Sequence, residues 1–332
     1  MRPLILLLAA ASVFAADTSK LRIYELAKPG ESVEIAKVPP LAAEAYARPH
    51  TTELPNPVYR LSDLPFLGAG RKEKLDLYFP AGPRRADRPA VVFIHGGGFT
   101  GGDKAEYRSS SVSADLCRAG YVVVSCNYVL GPKSKPGVWP QNIADCRNAV
   151  RWVRAHAKEL GVNPDKIGVA GGSAGGYLAL MVGLSDDKTG PGGDPAAKHS
   201  AKVGAVIDMY GVVNFSKHGK GEVVGATAAE QQAYLPEFQC DAQDPAVLIL
   251  HGTADTTVDI AQSDDLAKAL RKAKASYEYI VVEGAPHTFD LHPKGKSWKR
   301  SGVFAGAELS GASAQADLTE ATLAFLARTI GK

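Results

Sequence analysis

Lys166-Ile167-Gly168-Val169-Ala170-Gly171-Gly172-Ser173-Ala174-Gly175-Gly176-Tyr177-Leu178-Ala179-Leu180 is the stretch that decides the fold. Lys166 to Ala170 reads as a short strand, and Ala174 to Leu184 as an apolar helix. Between them Gly171-Gly172-Ser173-Ala174-Gly175 fits the pattern G-x-S-x-G. Glycines on both sides permit a turn tight enough to lift a serine out at the sheet edge. The pattern alone is weak; the strand before it and the helix after it give Ser173 its meaning.

Outward from this unit, strands and helices alternate. Ala90–Ile94 and Tyr121–Cys126 are continuous apolar runs of the kind that form strands buried on both faces. Val203–Met209, Ala246–Leu250 and Tyr277–Val282 read as further strands, and Leu75, Leu77 and Phe79 alternate with polar neighbours as an edge strand would. Helices are expected over Ser111–Ala119, Asp264–Ala273 and Leu318–Ile330. Ile143, Cys146, Val150, Val153, Ala157 and Leu160 step by three and four, which places them on one face of a single helix. Repeated βα units imply an α/β fold, a mostly parallel central sheet with helices on both faces, over residues 66–332. Residues 210–245 are too long for an ordinary connection and are expected to form a small cap insertion. Its Phe215, Tyr234 and Phe238, set among Lys217, His218 and Lys220, admit two readings: they stack on a ring of the ligand, or they pin the cap to the core.

The amino-terminal end has a different character. Arg2 is followed by an apolar run of twelve residues, Pro3 to Phe14, then Ala15-Ala16 and a polar segment. Twelve falls short of the ~20 residues that a membrane-spanning helix needs. The pattern reads as a signal peptide, residues 1–15, cut after Ala15, giving a secreted or periplasmic protein with no membrane span in the mature chain. Residues 16–65, interrupted by Pro29, Pro39, Pro40, Pro49, Pro55 and Pro57, read as an extended arm. The whole chain of 332 residues is 45% hydrophobic and 22% charged with a net charge of +3, which excludes a disordered chain and argues against nucleic-acid binding. Its four cysteines, Cys117, Cys126, Cys146 and Cys240, are too few for a disulfide scaffold and read as free thiols. Without C-x-x-C or H-E-x-x-H spacing, no metal site is expected.

In open parallel sheets, function gathers past the carboxyl ends of the strands. Four such places hold informative residues: Ser173; His95-Gly96-Gly97-Gly98-Phe99; His251-Gly252-Thr253-Ala254-Asp255; and Glu283-Gly284-Ala285-Pro286-His287. The glycines after His95 let backbone N–H groups approach a substrate oxygen, and with the N–H of Ala174 they would form an oxyanion hole. Gly96, Gly98 and Gly101 also fit the dinucleotide fingerprint, but the next strand ends in Cys126-Asn127-Tyr128 without the acid that binds ribose, so no cofactor is expected. A hydroxyl becomes a good nucleophile when a base takes its proton and a carboxylate orients that base. The expected chain order is serine, acid, histidine, here Ser173, Asp255, His287. Asp259, at the start of a helix, is the rival acid, and His292, beside Pro293, the rival base.

At these residues the chain resembles the hormone-sensitive-lipase-like and bacterial feruloyl-esterase-like (BD-FAE-like) branch of the α/β-hydrolases. The likeness is carried by Ile94 to Phe99, Gly102-Asp103-Lys104, Asp145-Cys146 with Val150-Arg151-Trp152, Gly171 to Gly176, and the Asp255 and His287 loops. It covers residues 66–332. The resemblance implies Ser173 as nucleophile, His287 as base, Asp255 as acid, and Gly97, Gly98 and Ala174 as oxyanion donors. It also implies a carboxylic-ester substrate, as a small molecule or as acetyl or feruloyl groups on polysaccharides. Two positions depart from the pattern: Gly172, where the family often has Glu, and Val129, where Arg is common. A peptidase or amidase on the same triad, and a non-catalytic binding protein of the same fold, are the competing readings.

Overall fold

A computed structural model describes residues 23–25, 58–80, 85–132, 138–186, 195–215, 227, 229, 232–291, 300–304, 307–309 and 318–331. Among the described residues, eleven strands form one sheet. Its centre is six parallel strands in the order β5 (Val122–Cys126), β4 (Arg88–Ile94), β6 (Val162–Gly172), β7 (Ala205–Met209), β8 (Ala246–Gly252) and β9 (Tyr277–Val282). On one side the sheet continues through β3 (Lys74–Pro80), β2 (Val58–Pro65) and β1 (Ile23–Glu25), and on the other through β10 (Arg300–Phe304) and β11 (Ala307–Leu309). The mostly parallel sheet expected from the sequence is therefore present.

Burial on both faces explains the apolar runs. Ala90, Val92 and Ile94 of β4 face one core layer, while Val91 and Phe93 face the other. The first layer is completed by α2 (Gln141–Ala155), α3 (Ala157–Leu160), α4 (Ala174–Leu184) and α5 (Ala261–Ala273). The second is completed by α1 (Tyr107–Arg118) and α6 (Leu318–Thr329). Helix α4 has ten of its eleven residues buried, which is why it carries no polar face.

Three sequence expectations need correction. The strand at Lys74 is not an edge: β3 lies between β2 and β5. Its polar Asp76, which suggested a solvent-facing side, is fully buried: Oδ1 meets Lys104 Nζ at 2.9 Å and accepts the Asp63 N–H at 3.0 Å, while Oδ2 lies 3.8 Å from Arg60 Nη1. The segment expected as an arm supplies β1 and β2, with Tyr59 and Leu61 buried in the core. The helix expected through Leu160 breaks at His156, whose ring hydrogen-bonds the Trp152 carbonyl at 2.8 Å and stacks on the Trp152 ring. The apolar steps continue across the break because both pieces pack on the same layer.

The proposed signal peptide, residues 1–15, lies outside the described residues, as do Lys217, His218, Lys220 and His292. No helix among the described residues is long and apolar enough to cross a membrane. All four cysteines are free, with Cys117, Cys126 and Cys146 buried.

Candidate active site

Parallel register brings the carboxyl ends of five strands, β4, β6, β7, β8 and β9, to one edge. Ile94 pairs with Gly171, Gly172 with Met209, Met209 with Leu250, and Gly252 with Val282. The loops after β4, β6, β8 and β9 therefore leave the sheet side by side, next to the point where the chain switches direction about β4.

Ser173 sits between the end of β6 and the start of α4 with φ 58° and ψ −124°. A non-glycine residue with positive φ is sterically disfavoured and persists where its surroundings hold it. Here the Ser173 N–H donates to the Met209 carbonyl at 2.9 Å, and the Ser173 carbonyl accepts the Tyr177 N–H at 3.1 Å. The turn also needs glycine at 175, where a Cβ would lie 2.1 Å from the Ile94 carbonyl oxygen. The same absence of side chains that makes the pattern recognisable in sequence thus lets α4 close onto β4.

His287 joins the two other polar groups. Its Nε2 lies 3.1 Å from Ser173 Oγ and its Nδ1 lies 2.6 Å from Asp255 Oδ2. The Asp255 carboxylate is almost wholly buried and its other oxygen, Oδ1, accepts the N–H groups of Thr257 at 2.8 Å and Val258 at 2.9 Å. Burial by itself would raise the Asp255 pKa. Hydrogen bonds from His251 and His287, with the Val258 N–H, outweigh it and hold the carboxyl well below the usual carboxylate range. The arrangement can pass a proton from the hydroxyl to an imidazole and stabilise the charge that develops there. Asp259, the rival acid, is occupied elsewhere: its Oδ1 accepts the Ala261 N–H at the start of α5.

The glycine loop after β4 lies against the serine. A Cβ on Gly96 would be 3.4 Å from Ser173 Cβ. Gly97 and Gly98 are exposed, with φ of 110° and 61°, and a side chain on Gly97 would strike the Gly101 carbonyl at 2.2 Å. The Ala174 N–H opens α4 and so has no partner within the helix. Of the three positions expected as oxyanion donors, Ala174 adjoins Ser173, and Gly97 and Gly98 directly follow the glycine that lies against it. His95 itself is buried beneath them, stacked on Tyr128 at 4.4 Å and bonded to the Gly96 carbonyl at 2.7 Å. Burial lowers its pKa to about 4, so it is neutral and structural.

The site also contains contacts that the sequence did not reveal. His251, at the end of β8, touches Asp255 directly: Nε2 lies 3.3 Å from Oδ2 and 2.9 Å from the Val258 carbonyl. The four-residue spacing of His251 and Asp255 about a tight turn was the available signal. Val129, where the family commonly has Arg, lies beside a partly buried ion pair. Arg71 grips Asp145 through two bonds, 3.0 Å and 2.6 Å, and Val129 adds its N–H to the same carboxylate at 2.9 Å.

Phe215, in the segment expected to form a cap, belongs to the core. Its ring lies 5.8 Å from Phe99, 5.6 Å from Trp139 and 5.2 Å from Tyr177, and the residue is 6% exposed. The pinning reading therefore holds for this residue. Phe215→Ala is expected to lower stability by about 3–5 kcal/mol. Feruloyl and acetyl ester turnover should fall together. A melt and paired kinetics on the two esters check this, and a selective loss on the feruloyl ester would restore the stacking reading.

A family model described as BD-FAE matches residues 75–270. The "Probable carboxylic ester hydrolase LipM" of Mycobacterium tuberculosis is 30% identical over 69% of this chain and 56% of its own length. The chain thus spans a little over half the length of the curated relatives it matches. The structure of Thermogutta terrifontis esterase 2 phosphonylated by cyclosarin is 34% identical, with a TM-score of 0.58 over 67% of this chain and 82% of that one. A truncated carbohydrate esterase from gut microbiota, 22% identical with a TM-score of 0.64 over 82% of this chain and 96% of that one, shares the fold.

Proposed function

The chain belongs to the BD-FAE family and has the α/β-hydrolase fold, and from that premise we propose that it hydrolyses carboxylic esters through an acyl-enzyme on Ser173. The observation that carries this reading is His287, within hydrogen-bond distance of Ser173 Oγ on one side and Asp255 on the other. Ser173 Oγ attacks the ester carbonyl while its proton passes to His287 Nε2. The Nδ1–H keeps donating to the Asp255 carboxylate, which fixes the tautomer and stabilises the imidazolium. The amides of Gly97, Gly98 and Ala174 receive the oxyanion. His287 then gives the proton to the leaving alcohol. Water, deprotonated by the same base, attacks the acyl-enzyme and frees the acid.

The substrate class in this proposal is acetyl or feruloyl esters of polysaccharides, handled outside the cytoplasm. Support comes from the family and from the apolar run Pro3–Phe14 behind Arg2, which has the pattern of an export signal. The carbohydrate-esterase likeness contributes fold alone. A panel of 4-nitrophenyl acyl esters, acetylated xylan, methyl ferulate and peptide amides tests both levels. Ester turnover without amide cleavage is the expected result. Preferential cleavage of peptide amides would overturn the ester reading, and activity confined to nitrophenyl esters would overturn the polysaccharide assignment.

A further inference from the structure

His287 is held by a segment that is itself strained. The residue after it, Thr288, has φ 59°, a left-handed conformation that a β-branched side chain rarely adopts. Something in the surroundings must hold it there. Backbone bonds anchor the loop on the near side, through Ala285 N–H to the Val282 carbonyl at 3.3 Å and Ala254 N–H to the Ala285 carbonyl at 3.0 Å. On the far side the anchor is Asp290, in the short turn Phe289–Leu291.

Asp290 makes two charge-assisted contacts. Its Oδ2 accepts Arg108 Nε at 2.6 Å, and its Oδ1 accepts the Tyr210 hydroxyl. The Tyr210 ring in turn lies 4.7 Å from the His287 imidazole. Arg108 comes from α1, on the second core layer, and is 6% exposed. Its guanidinium runs beneath the serine turn: a Cβ on Gly172 would lie 1.9 Å from Nη2 and 2.6 Å from Nη1. Gly172 is the residue immediately before Ser173, and the position departs from the glutamate common in related chains. The guanidinium therefore occupies the space a side chain there would take. One buried cation thus meets the backbone that presents the serine and, through Asp290, the loop that presents the histidine.

We infer that Arg108 and Asp290 are positioning residues, a bridge that holds the His287 loop in its left-handed turn and sets its spacing from the Ser173 turn. The inference rests on the ester-hydrolase reading above. It explains Gly172 as the vacancy that admits the bridge.

The test is Asp290→Asn, which keeps size and one carbonyl acceptor but removes the charge that pairs with Arg108. With 4-nitrophenyl acetate, kcat per active site is expected to fall about 30-fold with KM within about twofold, since a misplacement near 1 Å can cost about 100-fold in rate. Active sites are counted by endpoint titration with paraoxon, so misfolded molecules do not enter the rate. Thr288→Gly is then added to Asp290→Asn. Glycine adopts positive φ without steric cost, so the double variant should recover at least about tenfold of the loss. A per-site kcat for Asp290→Asn within twofold of the unaltered protein would overturn the bridge. So would a loss that Thr288→Gly leaves untouched and that follows the melting temperature. Ester turnover by the unaltered protein is measured alongside; its absence would reject the ester-hydrolase reading, whereas its presence with an unaffected Asp290→Asn rejects the bridge alone.

Discussion

Replacing Ser173 with Ala is expected to lower kcat for 4-nitrophenyl acetate by about a million-fold, the size of loss seen when the nucleophile of a serine triad is removed. The expectation follows from where the hydroxyl sits. Ser173 Oγ is the group within reach of His287 Nε2, and the turn at φ 58° presents it at the sheet edge beside the Gly97–Gly98 loop. Alanine keeps the backbone bond from residue 173 to the Met209 carbonyl, so the amides proposed as oxyanion donors remain. They should leave a residual acceleration of about 10³–10⁴ over water. The variant should melt near the parent temperature, bind ester with little change in KM, and resist labelling by paraoxon. Turnover within tenfold of the parent would reject Ser173 as nucleophile and with it the acyl-enzyme.

The part of this site that was legible in sequence was the part encoded locally. Strand, glycine turn and helix about Ser173 are contiguous, and their periodicities change at the residue where the structure changes. Asp255 and His287 follow apolar strands closely, so parallel order was enough to bring them to the same edge. What escaped depends on pairing across the chain. Asp76 reads as a surface residue until Lys104 is known to reach it. Strand β2 is bulged between Leu61 and Leu64, preceded by Pro57 and ended by Pro65, which hide its alternation. Strand β10, Arg-Ser-Gly-Val-Phe, has a glycine where a Cβ would strike the Tyr279 carbonyl at 2.0 Å, and nothing in its own composition marks it as a strand. Arg108 and Asp290 stand 182 residues apart, and neither belongs to a motif. Their partnership appears only when α1 and the His287 loop are packed against the same sheet edge.

Asp255→Asn should be the second largest effect, lowering kcat by about ten-thousand-fold. The argument concerns the imidazole tautomer. With a carboxylate at 2.6 Å, His287 keeps its proton on Nδ1 and offers Nε2 to the serine. An amide at the same place can donate to Nδ1 instead, which reverses the tautomer and removes the base. The carboxylate is also held from the other side by His251 and by the Thr257 and Val258 N–H groups. Its folded pKa is therefore depressed despite burial. A depressed carboxylate pKa contributes stability that is fully present above the unfolded value of about 3.9 and lost as pH falls through the folded value. The charge therefore does not titrate under assay conditions near neutrality, and the stability difference between parent and Asp255→Asn should shrink only below about pH 4. Asp259→Ala is the control. Its carboxylate bonds the first turn of α5, so it should cost about 1 kcal/mol of stability and leave kcat near the parent value. Kinetics on the two variants, with melts between pH 3 and pH 7, decide the matter. Near-parental turnover by Asp255→Asn together with inactivity of a folded Asp259→Ala would transfer the role of the acid to Asp259.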